Sequence, residues 1–143
     1  MKVMVLVKSN AKIEAGTLPC TESMGAMGRF NDELVRAGVL LAGEGLHASA
    51  RGHRVLFGEG ASVEGAPRLQ PGPFADPDSL VAGFWLWQVR SMDEALEWAQ
   101  RAPFGPGDVL ELRPMMAEED FGTAFTAELR AQEQRLRDAV DAR

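Results

Sequence analysis

Cysteine occurs once, at Cys20, so no disulfide can close within the chain and no cysteine-based zinc cluster exists. Positive charge is also short: 15 Lys and Arg stand against 21 Asp and Glu, a formal charge of −6 with a pI near 4.9. Nucleic acid and anionic membranes attract basic faces, so neither is an expected partner. No apolar run is long enough to span a bilayer. The chain opens on the strand-like Lys2-Val3-Met4-Val5-Leu6-Val7 with no small-residue cleavage site behind it, so no export signal is read. With the lone cysteine, this makes the cytoplasm the expected compartment. A phosphate loop, a dinucleotide fingerprint and a Ser-His-Asp pattern are all missing, and no cofactor is expected. Glu44, His47 and His53 have the donor types for a divalent transition metal. They lack a helical His-x-x-x-His register, and no metal site is assigned.

What is there suffices for one domain: 143 residues can bury a real core and are too few for two comfortable ones. The pivotal stretch is Gly38-Val39-Leu40-Leu41-Ala42-Gly43-Glu44-Gly45-Leu46. A short apolar run closed by glycine reads as a strand buried on both faces. Glycines on either side of Glu44 suggest a bend or a close approach of backbone. That leaves a carboxylate at a strand end, which either points into a pocket or accepts hydrogen bonds from turn amides.

Residues 1–8 read as a central strand, with Met1, Val3, Val5 and Val7 on one face and Met4 and Leu6 on the other. A loop with Gly16 and Pro19 follows, then a helix with Thr21 as N-cap and Glu22 in its first turn. Met24, Met27, Phe30, Leu34 and Val35 form its stripe, and Gly38 ends it. Between residues 46 and 73 the chain is rich in glycine and proline, and Val55-Leu56-Phe57 and Arg68-Leu69-Gln70 are expected to pair as an inserted hairpin. Residues 80–90 are the most β-prone: Val81, Trp85, Trp87 and Val89 share one face, Phe84 and Leu86 the other. Ser91-Met92-Asp93-Glu94 is a capping box opening a helix that stops before Pro103. Leu110 and Leu112 share a face of a half-exposed strand, opposite Glu111 and Arg113. From Thr126 a charged helix carries Leu129, Leu136 and Val140 on a thin stripe and is expected to dock along a surface.

The order is β-α-β, an excursion over about residues 47–79, then β-α-β and a helical tail. It predicts an α+β, ferredoxin-like fold: a four-stranded antiparallel sheet with both helices on one face. Three strands are apolar on both sides, so a second copy is expected to cover the open face, giving a homodimer of the dimeric α/β-barrel kind.

Gly43-Glu44-Gly45-Leu46, Pro71-Gly72-Pro73-Phe74-Ala75, Gly83-Phe84-Trp85 and Ser91-Met92-Asp93-Glu94-Ala95 with Trp98 together resemble the YCII-related family, in its DGPF-domain branch. The resemblance covers about residues 1–114, with residues 115–143 as a C-terminal helical extension of the same domain. It implies a dimeric ferredoxin-like fold and no settled activity. This chain has Pro71 where the branch usually has Asp, and Pro77-Asp78-Ser79 in place of a Thr-Lys-Glu-like segment. The His–Asp pair associated with the YciI branch proper is not carried over, since no histidine precedes His47. The DGPF branch is often found near or fused to sigma-factor-like genes, which raises a regulatory partner as the alternative function.

The candidate site is drawn from these stretches. Glu44 and His47 are candidate catalytic groups: if the chain turns at Gly45 they can meet as an acid/base couple, and otherwise the loop is simply polar and mobile. Arg51 lies in the same loop as a candidate ligand contact. Trp85 and Trp87 either wall an apolar ligand pocket or belong to the core, and Phe74, on a rigid turn, either lines that pocket or seals an edge. Cys20, near a helix start, is either a nucleophile or an incidental thiol. The first expectation is a small organic ligand bound near Glu44. The alternative is a non-catalytic interaction module docking through the C-terminal helix.

Overall fold

The computed structural model describes residues 1–58 and 65–143. Strand β1 (Lys2–Lys8) is followed by a short helix α1 (Ala11–Glu14), which was not expected in what reads as a loop. Asn10 makes it possible, its Oδ1 accepting the Ile13 amide at 2.9 Å. Helix α2 (Thr21–Arg36) starts one residue earlier than expected: Cys20, not Thr21, is the N-cap, with Sγ accepting the Ser23 amide at 3.4 Å. Gly38, at φ +72°, ends it as expected. There follow β2 (Leu40–Gly45), β3 (His53–Leu56), β4 (Arg68–Pro71), β5 (Val81–Gln88), α3 (Met92–Gln100), β6 (Leu110–Pro114) and α4 (Ala127–Asp141). No helix among the described residues is long and apolar enough to cross a membrane.

The main sheet is antiparallel in the order β2-β5-β1-β6. Each βαβ unit thus has a strand of the other unit between its own two strands, the split βαβ arrangement of a ferredoxin-like layout. The inserted hairpin forms separately, with Val55 opposite Leu69. Its connection over residues 59–64 lies outside the described residues.

Register fixes which residues share a face. Val3 pairs with Trp87 and Val5 with Trp85, and these four are buried against Phe30 and Leu34 of α2 and Ala95 of α3. Phe30 meets both indoles edge-on, at 5.6 and 6.4 Å between ring centroids. On the opposite face Met4, Leu6, Phe84 and Leu86 form a patch that is half-buried and lies outside this core.

Two expectations need correction. The stretch at residues 38–46 is not buried on both faces: β2 is an edge strand, and Leu41 is 48 % exposed. The crossover order sends the second strand to the sheet edge, while only Val39, just before it, enters the core. Nor does the backbone bend beside Glu44. The strand runs through Gly45 and its ladder continues to Leu46, whose amide reaches the Ala82 carbonyl at 2.8 Å. The close approach, however, is real at Gly43, where a Cβ would lie 2.6 Å from Cδ1 of Trp85. The capping box also differs in detail: Ser91 Oγ accepts the Glu94 amide at 3.2 Å, but the Glu94 carboxylate reaches past Ser91 to the Arg90 amide at 2.7 Å.

Candidate functional site

A cleft of about 990 Å³ opens at the end of the sheet where β2 finishes and β5 begins. It takes its lining from both sides of the β2 edge, with Gly43 and Trp85 toward the helices and Glu44 and Phe84 away from them. Its remaining walls come from α1, the approach to α2 and α2 itself, the turn after β2, and Val7, Phe104 and Asp108.

Of the residues expected to form a site, Glu44, His47, Arg51 and Trp85 line this cleft. The structure does not join Glu44 to His47 by a hydrogen bond. His47 is held instead by Arg51, whose Nη1 stands 2.9 Å from Nε2 and 3.2 Å from Nδ1 of the ring. The Glu44 side chain is exposed and makes no hydrogen bond or ion pair among the described residues. A carboxylate that turn amides pinned in place would not be left so.

Trp85 presents only an edge, being 5 % exposed, and its Nε1–H donates to Oδ1 of Asn31 at 2.9 Å. Trp87 is fully buried and does not line the cleft, and its Nε1 has no acceptor. The difference lies in the facing helix: α2 offers Asn31 to one indole and only apolar side chains to the other. Phe74 is not a lining residue either. Its ring lies under the Arg54 guanidinium, 3.9 Å from the centroid, and packs on the inserted hairpin.

Phe74 nevertheless matters to the cleft through its backbone. Its amide donates to Ser49 Oγ at 2.9 Å, while the Ser49 hydroxyl and amide both donate to the Glu14 carboxylate, the amide at 2.8 Å. Ser49 thus ties the turn carrying Arg51 to α1 on one side and to the Phe74 loop on the other. Gly72 permits this closeness, since a Cβ there would lie 1.7 Å from the Ser49 carbonyl oxygen. Cys20 is exposed and does not line the cleft, and hydrogen bonds from the Ser23 side chain and amide hold its thiol below the usual range. Among the described residues no three His, Cys, Asp or Glu side chains converge as a metal site would require.

The sequence reading missed Asn31, Ser49, Glu14 and Lys12. For Asn31 a signal existed: it sits four residues after Met27, a polar residue at a stripe position of an amphipathic helix. For Glu14 and Ser49, 35 residues apart, no local pattern announces the pairing.

The model of the YCII-related domain matches residues 1–119. The chain belongs to the YCII-related family. Comparison with curated proteins finds no match. Among solved structures, this YCII-related protein is similar to the 5-chloro-2-hydroxyhydroquinone dehydrochlorinase TftG from Burkholderia phenoliruptrix AC1100, in complex with 2,5-dihydroxybenzoquinone. Identity is 14 % over 83 % of this chain and 98 % of that one, with a TM-score of 0.41.

Proposed function

We propose that this YCII-related protein binds a small organic molecule in the cleft beside β2, with Glu44 as its polar contact and proton acceptor. The observation that carries the reading is the Glu44 carboxylate, which lines a cleft of about 990 Å³ and has no partner among the described residues. A ligand supplies the missing donor. His47, oriented by Arg51, is the second group for acid/base chemistry, and Trp85 gives an apolar edge. The motif around Gly72 and Phe74 supports membership of the DGPF branch, and residues 115–143 are read as an extension of a domain spanning 1–114. The reading places the protein in the cytoplasm.

The test is a thermal-shift screen of small organic molecules against the wild type and Glu44→Gln. Compounds that raise the melting temperature of the wild type should lose that effect in the variant, whose own melting temperature stays put. Shifts that survive in Glu44→Gln would remove Glu44 from the site, and a destabilised variant would make the carboxylate structural.

The working unit in this reading is a homodimer, with the second copy over Met4, Leu6, Phe84 and Leu86, the half-buried apolar patch outside the core. Sedimentation should give a dimer, and Leu86→Glu a monomer. A monomeric wild type at high micromolar concentration would refute it.

A second reading has its own observation. Helix α4 leaves Leu129, Leu136 and Val140 each about half exposed. A regulatory or interaction module, in the sigma-factor setting the resemblance suggests, would dock through that stripe. Deleting residues 126–143 should then abolish partner capture and leave the core assembly intact.

A further inference from the structure

The cleft rim carries charge of both signs in an unequal state of satisfaction. Asp108 spends Oδ2 on the Gly105 amide at 2.9 Å. Glu44 has no partner among the described residues, and neither does Lys12. Arg51 reaches the ring nitrogens of His47 and makes no ion pair with a carboxylate among the described residues. Lys12 and Arg51 are thus lining cations that no carboxylate among the described residues engages.

Lys12 and Arg51 also stand on two elements that are bonded to each other. Lys12 belongs to α1, two residues before Glu14; Arg51 ends the turn that begins at Ser49. The Glu14 carboxylate takes both the amide and the hydroxyl of Ser49, so α1 and this turn are fastened together and present their cations to one cleft. The start of α2, with the positive end of its dipole, borders the same space through Ser23 in its first turn and Pro19 just before its cap. The cleft's lining also offers apolar surface from Leu46, Phe84 and Met27.

We propose that the cleft takes a small organic acid that also carries a hydrogen-bond donor. The acid group sits on the Lys12–Arg51 rim, the donor on Glu44, and the apolar body lies between them. This rests on the reading of the cleft as a ligand site and adds to it the class of ligand. A neutral molecule leaves two cations unpaired, and an acid without a donor faces the Glu44 carboxylate with nothing to offer it. Charge-assisted hydrogen bonds to a planar acid are the strong interactions this rim can make.

Calorimetry on the full chain at neutral pH and low salt tests it with a matched pair of probes, 4-hydroxybenzoate and 4-hydroxybenzamide. The acid should bind about tenfold more tightly than the amide, the ratio expected of a single charge-assisted contact. Arg51→Gln and Lys12→Gln should each cut the affinity for the acid several-fold and leave the amide unaffected, while Arg51→Lys keeps most of the preference. Glu44→Gln should weaken both probes alike, because both carry the hydroxyl. Equal binding of acid and amide, with Glu44→Gln still weakening both, overturns the acid class and leaves the cleft as a ligand site. No heat from either probe at millimolar concentration overturns both readings.

Discussion

Gly72 offers the sharpest test of how the cleft wall is held. A Cβ built there would lie 1.7 Å from the Ser49 carbonyl oxygen and 2.6 Å from its carbonyl carbon, distances that no rotamer can relieve because both atoms are backbone. Gly72→Ala must therefore push the turn at residues 49–51 away from the Phe74 loop. The overpacking itself costs about 1–3 kcal/mol. The displacement also stretches the Phe74 amide bond to Ser49 Oγ and strains the two bonds from Ser49 to Glu14, all part-buried, each worth about 1 kcal/mol when water cannot fully replace it. With some replacement by water, the total is about 2–4 kcal/mol, a large part of the stability of a domain this size. Urea unfolding followed by tryptophan fluorescence measures it, with the slope checked to be that of the wild type. The same variant should weaken any ligand that depends on Arg51, since the turn carrying it has moved. A change below about 0.5 kcal/mol would show that the two loops are not in contact, and would refute the wall as described.

The other glycine of interest points the opposite way: Gly28 sits inside α2 with nothing within 4 Å of the methyl that alanine would add, so Gly28→Ala should stabilise by about 1 kcal/mol in the same urea assay. The Glu94 carboxylate is held below its ordinary pKa, first by the Arg90 amide and then by its side chain. A depressed folded pKa stabilises above the unfolded value and is lost as pH falls through the folded one, so the acid side of a stability–pH curve should flatten in Glu94→Gln. The Cys20 thiol, lowered chiefly by the Ser23 side chain, should be alkylated by iodoacetamide with a midpoint below that of an ordinary thiol, and Ser23→Ala should move the midpoint up.

The layout was legible because its signals are local. Strand periodicity at residues 1–8 and 80–90, a methionine and phenylalanine stripe ended by Gly38, and a Ser91 cap each declare an element without knowledge of its neighbours. Position within the sheet is a different kind of fact. Val39-Leu40-Leu41-Ala42 announces a strand, and the same four residues would serve at the centre or at the edge. Only the crossover, which brings β5 between β1 and β2, decides that this strand is the edge and leaves Leu41 in the open. Periodicity likewise put Trp85 and Trp87 on one face without distinguishing them, because the difference is made by Asn31 on a helix 54 residues away.

The glycines around Glu44 show how one signal can carry two mechanisms. They suggest either a bend, which would fold the carboxylate back onto turn amides and onto His47, or a close approach of backbone, and the structure has the second at Gly43. In the fold the steric allowances are at Gly43 and, across the ladder, at Gly83, whereas Gly45 has open space beside it. Gly43 makes room for the Trp85 indole, and Gly83 for the Glu44 carbonyl oxygen, which would stand 3.0 Å from a Cβ there. The strand therefore stays paired with its neighbour to the end, and the Glu44 side chain is carried along the edge without bonding the His47 or Arg51 side chains of the turn that follows. Carried along the edge strand, the carboxylate lines the same cleft as Lys12 and Arg51 and has no partner of its own among the described residues, which is the arrangement the proposed acid with a hydrogen-bond donor would use.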